Sequence, residues 1–530
     1  MNSDDLLKMN TNITSQELRT IINEENWNQL LENVKPKHFV KQESEELPDA
    51  RILAQICQLL VSETAPDVIK ILCLKCLGNS CLDSYKYKQH IMENIKSDNY
   101  NKNLYNKLSK NNLCEHKEDC NYPHDSHFPY DGVVKWAVDY IRTRDKSKDS
   151  LTDKELDIFR LSIQFLCNLF TYACPDAMST DDKILTYLSC DDLKQAIVNS
   201  MQCDHRPLAS AACIYVHNML KKLHCNYFTS DEKDLCFQLL MKPVKEGLAS
   251  AKDTLLHLMH QPDVTFVNVY NSIAISEKLD LLEIIYNELW KSWQSDPSTV
   301  LTDDQAEFLA LTFCKKSDLI LKTEDMYVNS VDPTEIILIL NILGLLTTEH
   351  KISKNAKCLL INCKYLLMSL HMMGKESDNN FTPITNLSKV APSAQRRAIN
   401  SATNDAGTSE AGTTKCDPQD HPAYGFKAGL IRVIANMVHK NKMCQDLFRE
   451  IDGIPLLLDC CNIDARNPLI LQWTILALRN VCEGNLENQE IIRSCKKEGT
   501  LDNSVLQEMG LTLSEDADGK SIRIAPLRRD

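Results

Sequence analysis

The sequence predicts an all-α protein, an armadillo- or HEAT-like α-solenoid with a disordered linker and a small C-terminal β-hairpin tail. Three observations carry that expectation: scarce glycine, recurring helix-start signals and an internal repeat. Glycine supplies only 14 of 530 residues, against an average usage of about 7%. Only Gly78, Gly132, Gly247 and Gly344 precede Gly374. Hairpins and phosphate-cradling loops need residues at positive φ. A 373-residue stretch this poor in glycine fits helices joined by polar turns, not sandwiches, barrels or dinucleotide-binding sheets.

The helix starts come next. A Thr followed three residues later by Glu or Gln, ahead of an apolar run, is a capping box. Thr14 with Glu17, Thr152 with Glu155, Thr229 with Glu232 and Thr302 with Gln305 fit it. Apolar residues then recur at three- and four-residue spacing, as in FRLSIQFLCNLF from Phe159 and LLEIIYNELWKSW from Leu281. Residues 1–373 therefore read as an N-terminal helical-repeat region. From 374 to 422 the chain is rich in Ser, Thr, Asn, Pro and Gly and poor in large apolar residues. Such a stretch cannot bury enough surface to offset its ordering entropy. It is expected to be a flexible linker whose Ser and Thr residues suit regulatory modification.

Residues 423–500 carry the repeat. IANMVHKNKMCQDLF, from Ile434, aligns with LRNVCEGNLENQEII, from Leu478. Asn436 pairs with Asn480, Asn441 with Asn485, Gln445 with Gln489 and Ile431 with Ile475, each 44 residues apart. Between the copies lies EIDGIPLLLDCC, where Asp452-Gly453 signals a turn and Pro455 opens a helix. That period is in the range of HEAT and armadillo units, which must stack because one alone cannot bury its apolar face. Fainter echoes place Asn79 in LKCLGNSC, Asn168 in FLCNLF and Asn218 in YVHNML. Residues 501–530 read as a short helix ended by Gly510, then two strands turning at Asp518-Gly519.

Composition excludes several classes. The net charge of −14 argues against tracking a nucleic-acid backbone, which needs clustered Lys and Arg. The 22 cysteines lie largely among Leu and Ile, as Cys57, Cys167, Cys213 and Cys482 do, where a free thiol acts as a small buried hydrophobe. No run reaches the roughly 18 apolar residues of a spanning helix, and no signal peptide opens the sequence. A reducing cytosol is the expected compartment.

Catalytic motifs are missing. There is no GxGxxG, GxSxG, HExxH, EF-hand loop or kinase signature. GTSEAGTTK, from Gly407, has Thr413 where a phosphate loop needs Lys. Cys114, Cys120 and His124 have metal-like spacing, but the additional Cys of a three-Cys-one-His zinc site is absent upstream, so a polar inter-repeat loop is the reading. Cys73 and Cys76 sit mid-helix between leucines and read as core. His257 and His260, one turn apart, lack a second ligand pair. No metal, cofactor or catalytic residue is expected.

The recurring asparagines need a reason, because an amide at the end of a leucine-rich helix is costly if buried unpaired. Either each Asn ties its helix to a neighbouring turn, or Asn168, Asn218, Asn436 and Asn480 line a protein-binding groove with Trp473 beside it.

KNKMCQDL, DGIPLLLDCCNID, the Asn467-Pro468 step before Trp473 and LRNVCEGNLENQ form a continuous stretch from Phe426 to Ile492. It resembles the C-terminal domain of the ataxin-10 family. The resemblance implies a non-enzymatic armadillo-like scaffold that is cytoplasmic, in the cytosol and perinuclear region. It also implies roles in neuron survival, neurite outgrowth and cytokinesis. The partners the resemblance implies include the O-linked N-acetylglucosamine transferase and a G-protein β subunit, and it implies self-association into a homo-oligomer. The alternatives are an importin-α-like cargo adaptor, against which the W-x-x-x-N ladder is missing, and an enzyme with an unrecognised site.

Overall fold

Helices begin where the sequence supplies an acceptor for their unpaired N–H groups. Thr14, Thr152, Thr229 and Thr302 each accept from the backbone N–H three residues on, and that residue's side chain accepts from the Thr N–H in return. All four expected capping boxes form. The computed structural model describes residues 13–39, 50–81, 130–145, 150–171, 190–221, 227–261, 266–292, 300–323, 333–349, 351–376, 379–384, 421, 423–495, 510–515 and 522–526. Among these residues there are twenty α-helices and one two-stranded sheet, the solenoid-like all-α architecture the sequence predicts.

The chain divides into two compact units, Met1–Val269 and Tyr270–Asp530. The first contains α1 (Ser15–Asn23), α2 (Trp27–Asn33), a 3-10 turn at Pro36–Phe39, α3 (Ala50–Val61), α4 (Asp67–Ser80), α5 (Tyr130–Asp145) and α6 (Asp153–Phe170). It continues with α7 (Asp191–Ser200), α8 (Arg206–Met219), α9 (Ser230–Lys245) and α10 (Ala249–Met259). Packing is sequential: α4 lies on α6, α6 on α8 and α8 on α10, while α3, α5, α7 and α9 form a second row. Phe159, Phe165, Phe170, Tyr215 and Phe237 are all but fully buried between the rows. The division between units falls within α11 (Phe266–Ser272).

The second unit contains α12 (Ile275–Ser292), α13 (Asp303–Lys316), α14 (Thr334–Leu346), α15 (Ala356–Glu376), α16 (Phe426–Val438), α17 (Lys442–Glu450), α18 (Gly453–Asp459), α19 (Ile470–Cys482) and α20 (Leu486–Ser494). Here α12, α14, α16 and α19 pack in succession, with α13, α15 and α17 alongside. The boundary expected at 373/374 lies inside this unit. Glu307 of α13 shows how distant residues finish an element. Its carboxylate accepts from the N–H groups of Ser353, Lys354 and Asn355 at 2.7, 2.6 and 3.0 Å, just before α15. Charge-assisted acceptance at a helix start is favoured by the helix dipole.

At the Asp452-Gly453 turn, the left-handed residue is Asp452 (φ 56°). Gly453 is required for space, since a Cβ there would lie 2.5 Å from the Phe448 ring. The stretch expected as a linker from 374 begins inside the fold. Residues 374–376 end α15, and in 379–384 Phe381 and Ile384 are buried. Lys427 Nζ donates to the Phe381 carbonyl at 2.7 Å, and Ile384 N–H donates to Asp464 at 3.0 Å. Two apolar side chains suffice to hold a segment whose average composition is polar. Residues 385–420 lie outside the described residues. So do 501–509, where the last helix was expected, and the Asp518-Gly519 turn. The strands on either side of that turn pair as expected: β1 (Leu511–Glu515) runs antiparallel to β2 (Ile522–Pro526), with Leu513 opposite Ile524.

Candidate functional site

The side-chain amides of the repeated asparagines run between successive helices. A helix leaves its last four carbonyls without intrahelical donors, and those carbonyls are where the amides go. Asn168 of α6 donates to Gly78 of α4 at 3.1 Å. Asn436 of α16 donates to Gly344 of α14 at 3.0 Å and to the Thr347 hydroxyl at 3.1 Å. Asn480 of α19 donates to Ala435 of α16 at 3.0 Å. Each acceptor lies in the last turn of the preceding helix in the row. Asn218 departs from the pattern, its Nδ2 meeting Cys167 Sγ at 3.2 Å. Asn79 donates to the Pro36 carbonyl at 2.9 Å. Sequence reasoning missed Asn362 of α15, which donates to Cys314 of α13 at 3.3 Å and makes the same link in the second row.

Other paired positions of the repeat have local duties. Asn441 and Asn485 are the N-caps of α17 and α20, accepting from Cys444 and Asn488 N–H. Gln445 donates to the carbonyls of Asn480 and Glu483 at 2.9 and 3.1 Å. Gln489 donates to Cys482 at 2.9 Å. The period of 44 residues thus repeats the inter-helix amides and the N-caps along with an apolar pattern, while the two glutamines take different partners.

The predicted site residues therefore fall in two places. Asn168 and Asn218 belong to the first unit. There a cleft of about 270 Å³ is lined by Gly78, Asn79, Arg160, Gln164 and Asn168. Its Arg160 is already engaged, by Asp157 at 2.9 Å and by Gln164. Asn436, Asn480 and Trp473 come together in the second unit, on α16 and α19. Trp473 is half-buried, and the Arg432 guanidinium lies over its ring with Cζ 5.4 Å from the centroid. Arg432 was not anticipated, although its signal was visible: it is the one cation facing Ala, Ile and Val in GLIRVIANMV.

Apolar side chains are exposed at the far end of the same row. Leu469, Ile475 and Leu486 are 60, 57 and 79% exposed. Ile431, one period before Ile475, is fully buried, because α19 packs on α16. Among the described residues no later helix covers α19 in the same way.

Thiols buried in the core are held in their neutral form. Burial pushes Cys73, Cys213, Cys236 and Cys460 up to about 12, and a protonated thiol is neither a nucleophile nor a metal ligand. Cys73 and Cys76 are core residues of α4, as the sequence indicated. His257 does not act with His260; its ring instead meets His217 of α8, centroids 4.8 Å apart. No group of three or more His, Cys, Asp or Glu among the described residues is arranged to hold a metal ion. Cys114, Cys120 and His124 lie outside the described residues. Among the described residues no helix is long and apolar enough to cross a membrane.

Residues 426–524, from the first residue of α16 into β2, match the family described as the spinocerebellar ataxia type 10 protein domain. Ataxin-10 of Xenopus tropicalis is 34% identical over 276 residues, half of each chain. Ataxin-10 of Bos taurus is 28% identical over 268 residues, 49% of this chain and 50% of that one. The chain thus carries an ataxin-10-type domain at residues 426–524. It spans about half the length of these curated relatives. Human ataxin-10 is 46% identical over a shorter stretch of 93 residues, 18% of this chain and 20% of that one. The family domain is thus the segment in which the amides of Asn436 and Asn480, the Arg432–Trp473 pair and the exposed end of the row occur together.

Proposed function

We propose that this chain is a member of the ataxin-10 family and a non-enzymatic, cytoplasmic scaffold that works by binding proteins. The observation that carries the reading is the difference between Ile431 and Ile475. The same residue, at the same point of the repeat, is buried in one copy and 57% exposed in the next. Leu469 and Leu486, beyond either end of α19, are exposed as well, and large apolar side chains left exposed at the end of a helical row are the usual mark of an interaction surface. Each buried CH₂ there is worth about 0.8 kcal/mol to a partner.

The partners the family suggests are the O-linked N-acetylglucosamine transferase, a G-protein β subunit and a second copy of the chain. The roles it suggests are in neuron survival, neurite outgrowth and cytokinesis, carried out in the cytosol and perinuclear region. In this reading the asparagines hold the row together and the partner meets its end.

The test is binding of the purified full chain to purified transferase and β subunit, with sedimentation equilibrium reading self-association. Ile475→Glu should abolish whichever association exists while keeping the melting temperature, because an exposed side chain contributes little to folding. Failure of the wild-type chain to bind either protein or itself at micromolar concentration would overturn the proposal.

A further inference from the structure

Arg432 is a half-buried cation of the second unit whose charge meets no counter-charge among the described residues. Its Nε is buried and meets no acceptor. Unlike Arg160 and Arg449, which pair with Asp157 and Asp446, it forms no ion pair or hydrogen bond among the described residues. Burial lowers its pKa, the signature of a charge kept from water without compensation. The surroundings are nonetheless built to hold the group in one place. Trp473 backs one side, with Cζ 5.4 Å from the ring centroid. On another side stands Gly344, where a Cβ would come within 3.1 Å of Nε and 3.2 Å of Cζ. The absence of a side chain at Gly344 makes the slot for the guanidinium. The side chain as a whole is only half-buried and Nε is its buried end, so the outward edge of the fork is the pair of Nη groups.

A guanidinium packed on an aromatic face, with its Nη edge outward, has the geometry that receives a carboxylate. Holding it there without a counter-charge is a cost that a purely structural role would not keep. We propose that Arg432 is the docking point for a carboxylate of a partner protein, an Asp or Glu side chain on an extended segment laid across α14, α16 and α19 beside Trp473. The inference rests on the protein-binding reading and adds the chemistry of what is bound. The chain's net charge of −14 opposes acidic partners at long range, so this recognition acts at contact distance, with the Arg432–Trp473 pair as its local exception.

The test uses the full chain and a display library of random 12-residue peptides as probe. Enriched peptides should share an Asp or Glu. Changing that residue to Asn or Gln should weaken binding by about thirtyfold or more, the effect of breaking one buried charge pair. Arg432→Gln should cost the same, and combining the two changes should cost no more than either alone. Gly344→Ala, which crowds the slot, should weaken binding without removing the charge. Arg432→Gln should melt no lower than wild type, since it removes an uncompensated charge. The proposal falls if no peptide is enriched, if the enriched peptides lack a carboxylate, if they bind Arg432→Gln as they bind wild type, or if Arg432→Gln melts lower. Peptides that ignore Arg432 but are lost with Ile475→Glu would overturn this inference and leave the scaffold reading standing.

Discussion

Replacing Asn480 with Ala separates the two meanings of the asparagine repeat. Asn480 is 6% exposed and donates to the Ala435 carbonyl at 3.0 Å. That carbonyl lies in the last turn of α16, where the following N–H, that of His439, has gone to Asn436 instead. The substitution loses one hydrogen bond, worth about 0.5–1.5 kcal/mol net, and leaves an acceptor unsatisfied, which costs about 1–3 kcal/mol. A loss near 2 kcal/mol is expected, which for a domain of this size is a melting temperature lower by about 4–8 °C. The Gln445 bond is to the Asn480 backbone carbonyl and survives, so the figure isolates the side-chain amide. Gln472→Ala, on the exposed face of the same helix, is the control and should change stability by less than about 0.5 kcal/mol. Calorimetry or a urea melt followed by circular dichroism reads both. Asn480→Asp should be worse than Ala, because it sets a carboxylate oxygen against a carbonyl. If Asn480→Ala melts with the control and loses a partner instead, the amide belongs to a binding groove and the account of the row given above is wrong.

Two further outcomes follow from groups the repeat buries. Burial lowers the pKa of both His217 and His257; His257 and Lys221 add to the shift at His217 against Asp253, and Lys221 and His260 add to that at His257 against a hydrogen bond with the Leu220 backbone. The folded chain therefore takes up fewer protons than the unfolded one below the ordinary histidine value of about 6.5. Their contribution is complete above that pH and declines as the pH falls below it. Urea midpoints at a series of pH values should show that acid limb, and His217→Gln with His257→Gln should flatten it; an unchanged limb would exclude the pair as its source. Among the described cysteines, Cys358 and Cys495 are exposed while Cys57, Cys73, Cys76 and Cys363 are buried. Brief alkylation of the native chain, read by peptide mass, should label the first two and spare the other four. Labelling of Cys73 or Cys76 would contradict the core assigned to α4.

What the sequence discloses here depends on how far a side chain must reach. The capping boxes were legible because acceptor and donor are three residues apart and the local geometry leaves little choice. The cap that Glu307 supplies was not, since its three donors lie 46–48 residues away and nothing in EFLALTF distinguishes one Glu from another. Arg432 falls between these cases. Its place in an apolar helix face could be read, but the slot that holds it depends on Gly344, 88 positions earlier, and on Trp473 in the next repeat. Phe381 and Ile384 were hidden by averaging: a window of polar composition says nothing about two residues that find a surface.

The asparagines carry that reasoning to its end. Their recurrence at 44 residues fixed a period, and the cost of burying an amide required each to have a partner, yet both a neighbouring carbonyl and a bound peptide satisfy that requirement. Only the position of the preceding helix end decides between them. The same holds, with opposite sign, for Ile431 and Ile475. A repeat sequence specifies a face that needs covering and is silent about whether a neighbour follows. The interior copies resolve the demand by stacking, so their hydrogen bonds and apolar contacts are consumed within the fold. The last copy inherits the same face with no described helix beyond it. Function in such a chain is therefore to be sought where the repeat fails to satisfy itself: at the exposed apolar side chains around α19 and at the guanidinium that no residue of the row neutralises.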